Sequence, residues 1–187
     1  FKCAVFQDTD VAKWLEAVAY SLETHPDEEL ECIADETIEL VGKVQGKDGY
    51  LNTYFTIKEP DLRWTNLQEG HELYTAGHFI EAGVAYYQAT GKKNLLDIVS
   101  KLADCICKRF GNEKGKSFGY PGHQEIELAL FRLYEVTGKK DYLKTAKYFI
   151  DVRGVGENYF LREEKQKNFK RIFPEFAGYD PKYSQSH

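Results

Sequence analysis

Tyr87-Gln88-Ala89-Thr90-Gly91-Lys92-Lys93, followed by Leu96 and Ala103-Asp104, returns 47 residues later as Tyr134-Glu135-Val136-Thr137-Gly138-Lys139-Lys140, Leu143 and Ile150-Asp151. Apolar residues recur around both copies at the spacing of an amphipathic helix, so each Thr-Gly pair reads as the turn between two helices. The hairpins run from about 72 to 89 and 93 to 110, and from about 124 to 136 and 141 to 152. An earlier pair echoes them, with Val18-Ala19-Tyr20, Thr24 and Leu30 standing where Val84-Ala85-Tyr86, Thr90 and Leu96 stand in the second. Its first helix follows Asp10 as N-cap and carries Val11, Trp14, Leu15, Val18, Ala19 and Leu22. Its second starts at Pro26 and carries Leu30, Ile33, Ala34, Ile38, Val41 and Val44. Strand-like alternation is confined to Leu51–Ile57. The fold class is therefore all-α, built from repeated helical hairpins that bury their apolar faces against one another, as a solenoid or as a ring.

The connections separate those options. A binding solenoid has short, uniform loops, whereas 26 residues lie between Gln45 and Glu72, and 13 between Phe110 and Gln124. Long loops in a compact domain are commonly functional. Both enter the first helix of a pair, so hairpins stacked side by side bring them to one rim. The first holds Asp48-Gly49-Tyr50-Leu51-Asn52-Thr53-Tyr54-Phe55 and Arg63-Trp64-Thr65-Asn66-Leu67, and opens its helix with His71-Glu72-Leu73-Tyr74. The second reads Phe118-Gly119-Tyr120-Pro121-Gly122-His123-Gln124-Glu125-Ile126-Glu127. Each delivers aromatic rings, then a histidine and a carboxylate at a helix start. Aromatic faces cover the apolar faces of a sugar ring, while imidazole and amide groups hydrogen-bond its hydroxyls. His71 and His123 are the candidate hydroxyl ligands, with Tyr50, Trp64 and Tyr120 framing the ring. His78 reads as a packing residue, the first-turn glutamates as helix-dipole partners, and the paired lysines at each turn as solvated tips.

Composition excludes other classes. The 187 residues carry 25 basic and 30 acidic side chains, for a net charge of −5 with the signs interspersed, so nucleic acid finds no basic stripe. No apolar run is long enough for a membrane span. Four scattered cysteines read as reduced and mostly buried, which places the protein in the cytoplasm. The sequence contains no Met and starts at Phe1, so it reads as a piece of a longer protein. Phosphate loops, zinc-helix motifs and nucleophile elbows are missing. The rival function is a helical-repeat interaction module whose long loops bind a protein.

These segments carry a family resemblance over nearly the whole chain. Asp10-Val11 with Lys13 to Ala17, Asp48 to Phe55, Arg63 to Leu67, His71 to Tyr74 with Gly77-His78, Tyr87 to Gly91, Gly119 to Leu130 and Tyr183 to His187 resemble glycoside hydrolase family 127, the β-L-arabinofuranosidase type. The resemblance implies an (α/α)6 toroid, of which residues 1–187 form about half. It also implies retaining hydrolysis of terminal β-L-arabinofuranose from an oligosaccharide or glycoconjugate, by a zinc-bound cysteine thiolate with a glutamic acid as acid/base. His71 and His123 match histidines at the family's sugar pocket. None of Cys3, Cys32, Cys105 and Cys107 falls in its zinc motif, so the catalytic and metal residues are expected beyond this chain, which is expected to be inert alone. An open half-ring is expected to expose apolar edges, so that the chain alone is less stable than its helix content suggests or self-associates.

Overall fold

The computed structural model describes residues 4–173. Helices dominate: α1 (Asp8–Thr24), α2 (Glu28–Val44), the short α3 (Thr53–Ile57), α4 (Glu72–Thr90), α5 (Asn94–Arg109), α6 (Ile126–Thr137), α7 (Lys140–Val152) and α8 (Tyr159–Glu163). Among the described residues there is no strand, only an isolated bridge between Phe110 and Ser117. No described helix is long and apolar enough to cross a membrane.

The first helices of the three hairpins form one layer, α1 against α4 against α6, and the second helices form another, α2 beside α5 beside α7. Being central, α4 is covered on nearly all sides: Leu73, Ala76, Phe79, Ile80, Ala82, Val84, Ala85 and Tyr86 are all buried. The outer helices α5 and α7 bury one stripe each, Leu95, Val99, Leu102 and Ile106 on α5, and Tyr142, Thr145, Ala146 and Phe149 on α7. The Thr-Gly turns end α4 and α6 as read from sequence. Gly91 (φ 74°) and Gly138 (φ 69°) take the left-handed conformation that glycine adopts without a Cβ penalty. Each cap N–H returns to the carbonyl of the repeat tyrosine, Tyr87 or Tyr134.

Five local expectations are corrected. α1 starts at Asp8, and Asp10 lies within it. The Asp8 carboxylate instead accepts from the Thr53 N–H and hydroxyl, both at 2.6 Å. The buried stripe of α1 passes through Thr9 and Ala12, leaving Val11 and Trp14 outside. On α2, Asp27 is the N-cap, accepting from Leu30 N at 3.0 Å, with Pro26 preceding it; Ile33 and Val44 are exposed. The stretch read as strand-like forms α3, because Asn52 caps it by accepting from Phe55 N at 3.0 Å.

The turn lysines do not all project into solvent. Lys92 Nζ reaches Asp35 on α2 at 2.5 Å, and Lys139 Nζ reaches Asp104 on α5 at 2.5 Å. Tyr86 and Tyr142 donate to the same two carboxylates, each at 2.9 Å. The second and third hairpins are thus each latched to the outer helix of the preceding one by the equivalent turn lysine and by a tyrosine, Tyr86 on α4 in one and Tyr142 on α7 in the other.

Candidate functional site

All long connections gather at the end of the layers opposite the Thr-Gly turns. Residues 45–71 and 110–125 meet there, joined by Gly122 N donating to Leu67 O at 3.0 Å. Gly122 lies so close to the other loop that a Cβ would fall 2.3 Å from Gln68 O. A third segment, 153–173, also packs onto this end. Glu163, fully buried on α8, accepts from Leu67 N at 2.7 Å, Gln68 N at 3.2 Å and the Tyr159 hydroxyl at 3.0 Å. Glu69 accepts from Asn66 Nδ2, Ile172 N and Arg171 Nη1 at 3.1, 2.7 and 2.7 Å. Two buried carboxylates thereby accept backbone N–H groups from two of the three segments, 45–71 and 153–173.

This packing sets the entry into α4. Glu72, buried in its first turn, accepts from the Tyr50 hydroxyl and from Trp64 N at 2.7 Å. Burial pushes its carboxyl up to about 8 against the pull of those two donors. Trp64 (φ 62°) and His71 (φ 56°) are the described non-glycine residues with left-handed backbone, a conformation that persists only where its surroundings enforce it. The Trp64 ring meets Tyr50 and Phe110 edge-on at 5.2 and 5.5 Å.

His71 is thereby aimed at the second loop. Its Nδ1 lies 2.5 Å from Glu69 O, so Nδ1 carries the proton and donates, leaving Nε2 as a hydrogen-bond acceptor. That Nε2 lies 3.2 Å from His123 Nε2. Phe6, Tyr74 and Phe173 place their rings around His71, at centroid distances of 5.4, 5.7 and 6.1 Å, and burial holds its pKa below the ordinary value. Tyr74 also contacts His123 at 5.2 Å and receives a hydrogen bond from Lys13 at 3.0 Å.

On its far side Tyr74 stacks edge-on against His78 at 4.5 Å, and His78 Nδ1 lies 3.4 Å from Glu125 Oε1. His78 is a packing residue, but it also faces a carboxylate. Burial, then nearby Lys13, lowers it to about 4; burial, then Glu81 and Glu16, raises Glu125 to about 7. A neutral imidazole and a carboxyl that changes charge near neutrality thus stand one ring behind the His71–His123 pair.

Of the five residues read as sugar contacts, the structure brings His71 and His123 together at the surface. Trp64 is half-buried behind them. Tyr50 and Tyr120 are buried, each 2% exposed, because their hydroxyls are engaged inside: Tyr50 donates to Glu72, and Tyr120 accepts from Tyr159 N at 3.3 Å. They hold the loops from beneath and do not frame the pocket. Tyr74, Glu69 and Glu163 escaped the sequence reading. Tyr74 had a readable signal, since it lies one helical turn from both His71 and His78; the two glutamates had none, because their partners are backbone groups far away in sequence.

Comparison with known proteins extends this picture. The family model described as β-L-arabinofuranosidase, GH127 catalytic domain, matches residues 1–185. A non-reducing end β-L-arabinofuranosidase of Bifidobacterium longum subsp. longum is 46% identical over all of this chain, which spans 29% of that protein. Among solved structures, Ara127N, a GH127 β-L-arabinofuranosidase from Geobacillus stearothermophilus T6, superposes with a TM-score of 0.88 at 60% identity, covering 92% of this chain and 27% of that one. Another GH127 β-arabinofuranosidase superposes with a TM-score of 0.80 at 44% identity, covering 84% of this chain and 26% of its own.

Proposed function

The chain belongs to the GH127 β-L-arabinofuranosidase catalytic-domain family, and on that premise we propose that it supplies about half of an (α/α)6 toroid in a retaining glycoside hydrolase. The substrate is a terminal β-L-arabinofuranosyl group of an oligosaccharide or glycoconjugate. The observation that carries the sugar-binding role is the 3.2 Å approach of His71 and His123, with the His71 tautomer fixed by Glu69 O. Two imidazole edges presented side by side, one locked as an acceptor, suit neighbouring hydroxyls of a furanose ring. Tyr74 supplies an adjacent aromatic face. Because these groups are positioned before substrate arrives, they favour the transition state without reorganising, so their removal lowers turnover as well as affinity.

The zinc thiolate and the acid/base implied for the family are assigned to other parts of the protein. The cysteines described here do not fit such a centre. Cys32 is exposed on α2, Cys105 packs beside Tyr50 and Phe55, and Cys107 is buried under the Asp141 carbonyl with its thiol raised to about 11. Among the described residues no three His, Cys, Asp or Glu side chains are grouped to hold a metal.

Exposed Leu128, Phe131 and Ile150 support a further part of the proposal, that this chain alone self-associates. A stable monomer in light scattering at micromolar concentration would contradict it. The activity is tested with the full-length protein and synthetic arabinofuranosides. Release of L-arabinose from the β-L-furanoside, with retention at the anomeric carbon, is expected. Turnover of only the α-L-furanoside or a pyranoside would contradict the assignment.

A further inference from the structure

Two residues that break local preferences meet between α4 and α6. Glu125 occupies the N-cap of α6, a position that favours Ser, Thr, Asp or Asn, and its side chain makes no capping bond. Gly77 lies inside α4, where glycine is unfavourable relative to alanine. A Cβ at Gly77 would stand 2.6 Å from Glu125 Cγ and 3.1 Å from Ile126 N. The glycine thus admits the glutamate stem, which lies against α4 instead of folding back over its own helix end. Departures of this kind from local preference concentrate at functional sites.

From there Glu125 reaches the histidine rim by two routes. Through the backbone, its N–H donates to His123 O at 3.1 Å and its carbonyl accepts from Ala129 N at 3.2 Å, tying the His123 turn to the first turn of α6. Through the side chain, Oε1 lies 3.4 Å from His78 Nδ1, and the other ring nitrogen of His78 is buried without a partner among the described residues. His78 backs the Tyr74 ring edge-on at 4.5 Å, and Tyr74 in turn contacts both His71 and His123. The charged groups that face Glu125 besides His78 are Lys13 and Glu16 from α1, Glu127 from α6, and Glu81 from α4, itself paired with Arg132. Lys13 is also the donor to the Tyr74 hydroxyl, at 3.0 Å.

We propose that Glu125 is a positioning residue of the sugar subsite, holding His123 through the backbone and Tyr74 through His78. The assignment rests on the sugar-binding role proposed above. With its carboxyl protonated, Glu125 leaves Lys13 to the Tyr74 hydroxyl. Ionised, above about pH 7, it repels Glu16 and Glu81 and draws Lys13 away from Tyr74. The ring that supports both histidines then loosens, and kcat/KM falls.

The test is kcat/KM of the full-length protein for a synthetic β-L-arabinofuranoside, from about pH 6 to about pH 8, in wild type, Glu125→Ala, Glu125→Gln and His123→Ala, with thermal midpoints above the assay temperature. Glu125→Ala is expected to lose about tenfold at the acid end, and Glu125→Gln, a neutral polar group of the same shape, to recover most of that loss. The ratio of Glu125→Gln to wild type should rise severalfold toward the alkaline end, which a purely structural glutamate would not produce. Should Glu125→Ala fail to fold, that ratio decides alone. A pH-independent ratio would overturn the proposal, as would Glu125→Gln no better than a folded Glu125→Ala. Glu125 variants at wild-type rates beside an impaired His123→Ala would overturn the positioning role alone, whereas His123→Ala at wild-type rates would overturn the sugar subsite and this role with it.

Discussion

Glu163 accepts a hydrogen bond from the backbone N–H of Leu67 at 2.7 Å across 96 residues of chain, and a second from Gln68 N at 3.2 Å. This carboxylate closes the third connection onto the first. Truncation by Glu163→Ala leaves two backbone donors and the Tyr159 hydroxyl without their acceptor in a dry environment. A loss of roughly 2–4 kcal/mol of stability is expected. Urea unfolding of both proteins measures it, and a loss below about 0.5 kcal/mol would remove Glu163 from this role.

Gly122 is needed for space. Its N–H bonds to Leu67 O, and a Cβ there would stand 2.3 Å from Gln68 O, a backbone atom that cannot swing aside. Gly122→Ala should therefore force the two loops apart and cost roughly 1–3 kcal/mol. An unchanged thermal midpoint would mean that the loops slide past each other freely.

Glu125 gives a pH dependence of definite sign. Its carboxyl titrates at about 7 when folded and near 4.5 as an ordinary carboxyl, so the folded state retains its proton across that interval. The stability linked to that proton is full below pH 4.5 and is lost as pH rises through 7. Relative to wild type, Glu125→Gln should gain stability on going from pH 4.5 to about pH 8, by up to about 2–3 kcal/mol. Melting curves of both proteins across that range decide it, since a pH-independent difference would show that Glu125 titrates normally.

The repeat latches are partly exposed ion pairs and should contribute little. Lys92→Ala and Lys139→Ala are each expected to cost under about 1 kcal/mol, and less in high salt. Tyr142→Phe should cost at least as much, because its hydroxyl donates to Asp104 beneath a buried ring. Thermal midpoints at low and high salt separate the contributions; a large salt-insensitive loss from the lysine variants would contradict them.

The repeat block around Thr90-Gly91 and Thr137-Gly138 was legible because a glycine turn and helical periodicity are local properties. The ends of α4, α5, α6 and α7 accordingly lie within two residues of those read from sequence. The meeting of His71 and His123 was legible one level up, since both loops enter equivalent helices. Leu51–Ile57 was misread because alternation over so short a stretch suits a strand as well as one helical turn, and the Asn52 cap decides between them. Tyr50 and Tyr120 show the limit for aromatic residues: composition marks them as able to cover a sugar, but only tertiary packing decides whether they face it or face Glu72 and Tyr159. Glu69 and Glu163 were silent for a related reason, since each satisfies backbone donors whose positions exist only after folding.

The most direct test of the sugar subsite is kcat/KM for a synthetic β-L-arabinofuranoside in the full-length protein carrying His123→Ala. His123 is exposed, so the thermal midpoint should stay at the wild-type value while kcat/KM falls by roughly a hundredfold or more, the loss of an interaction made with the sugar in the transition state. A variant that keeps kcat/KM within about threefold of wild type would contradict the account.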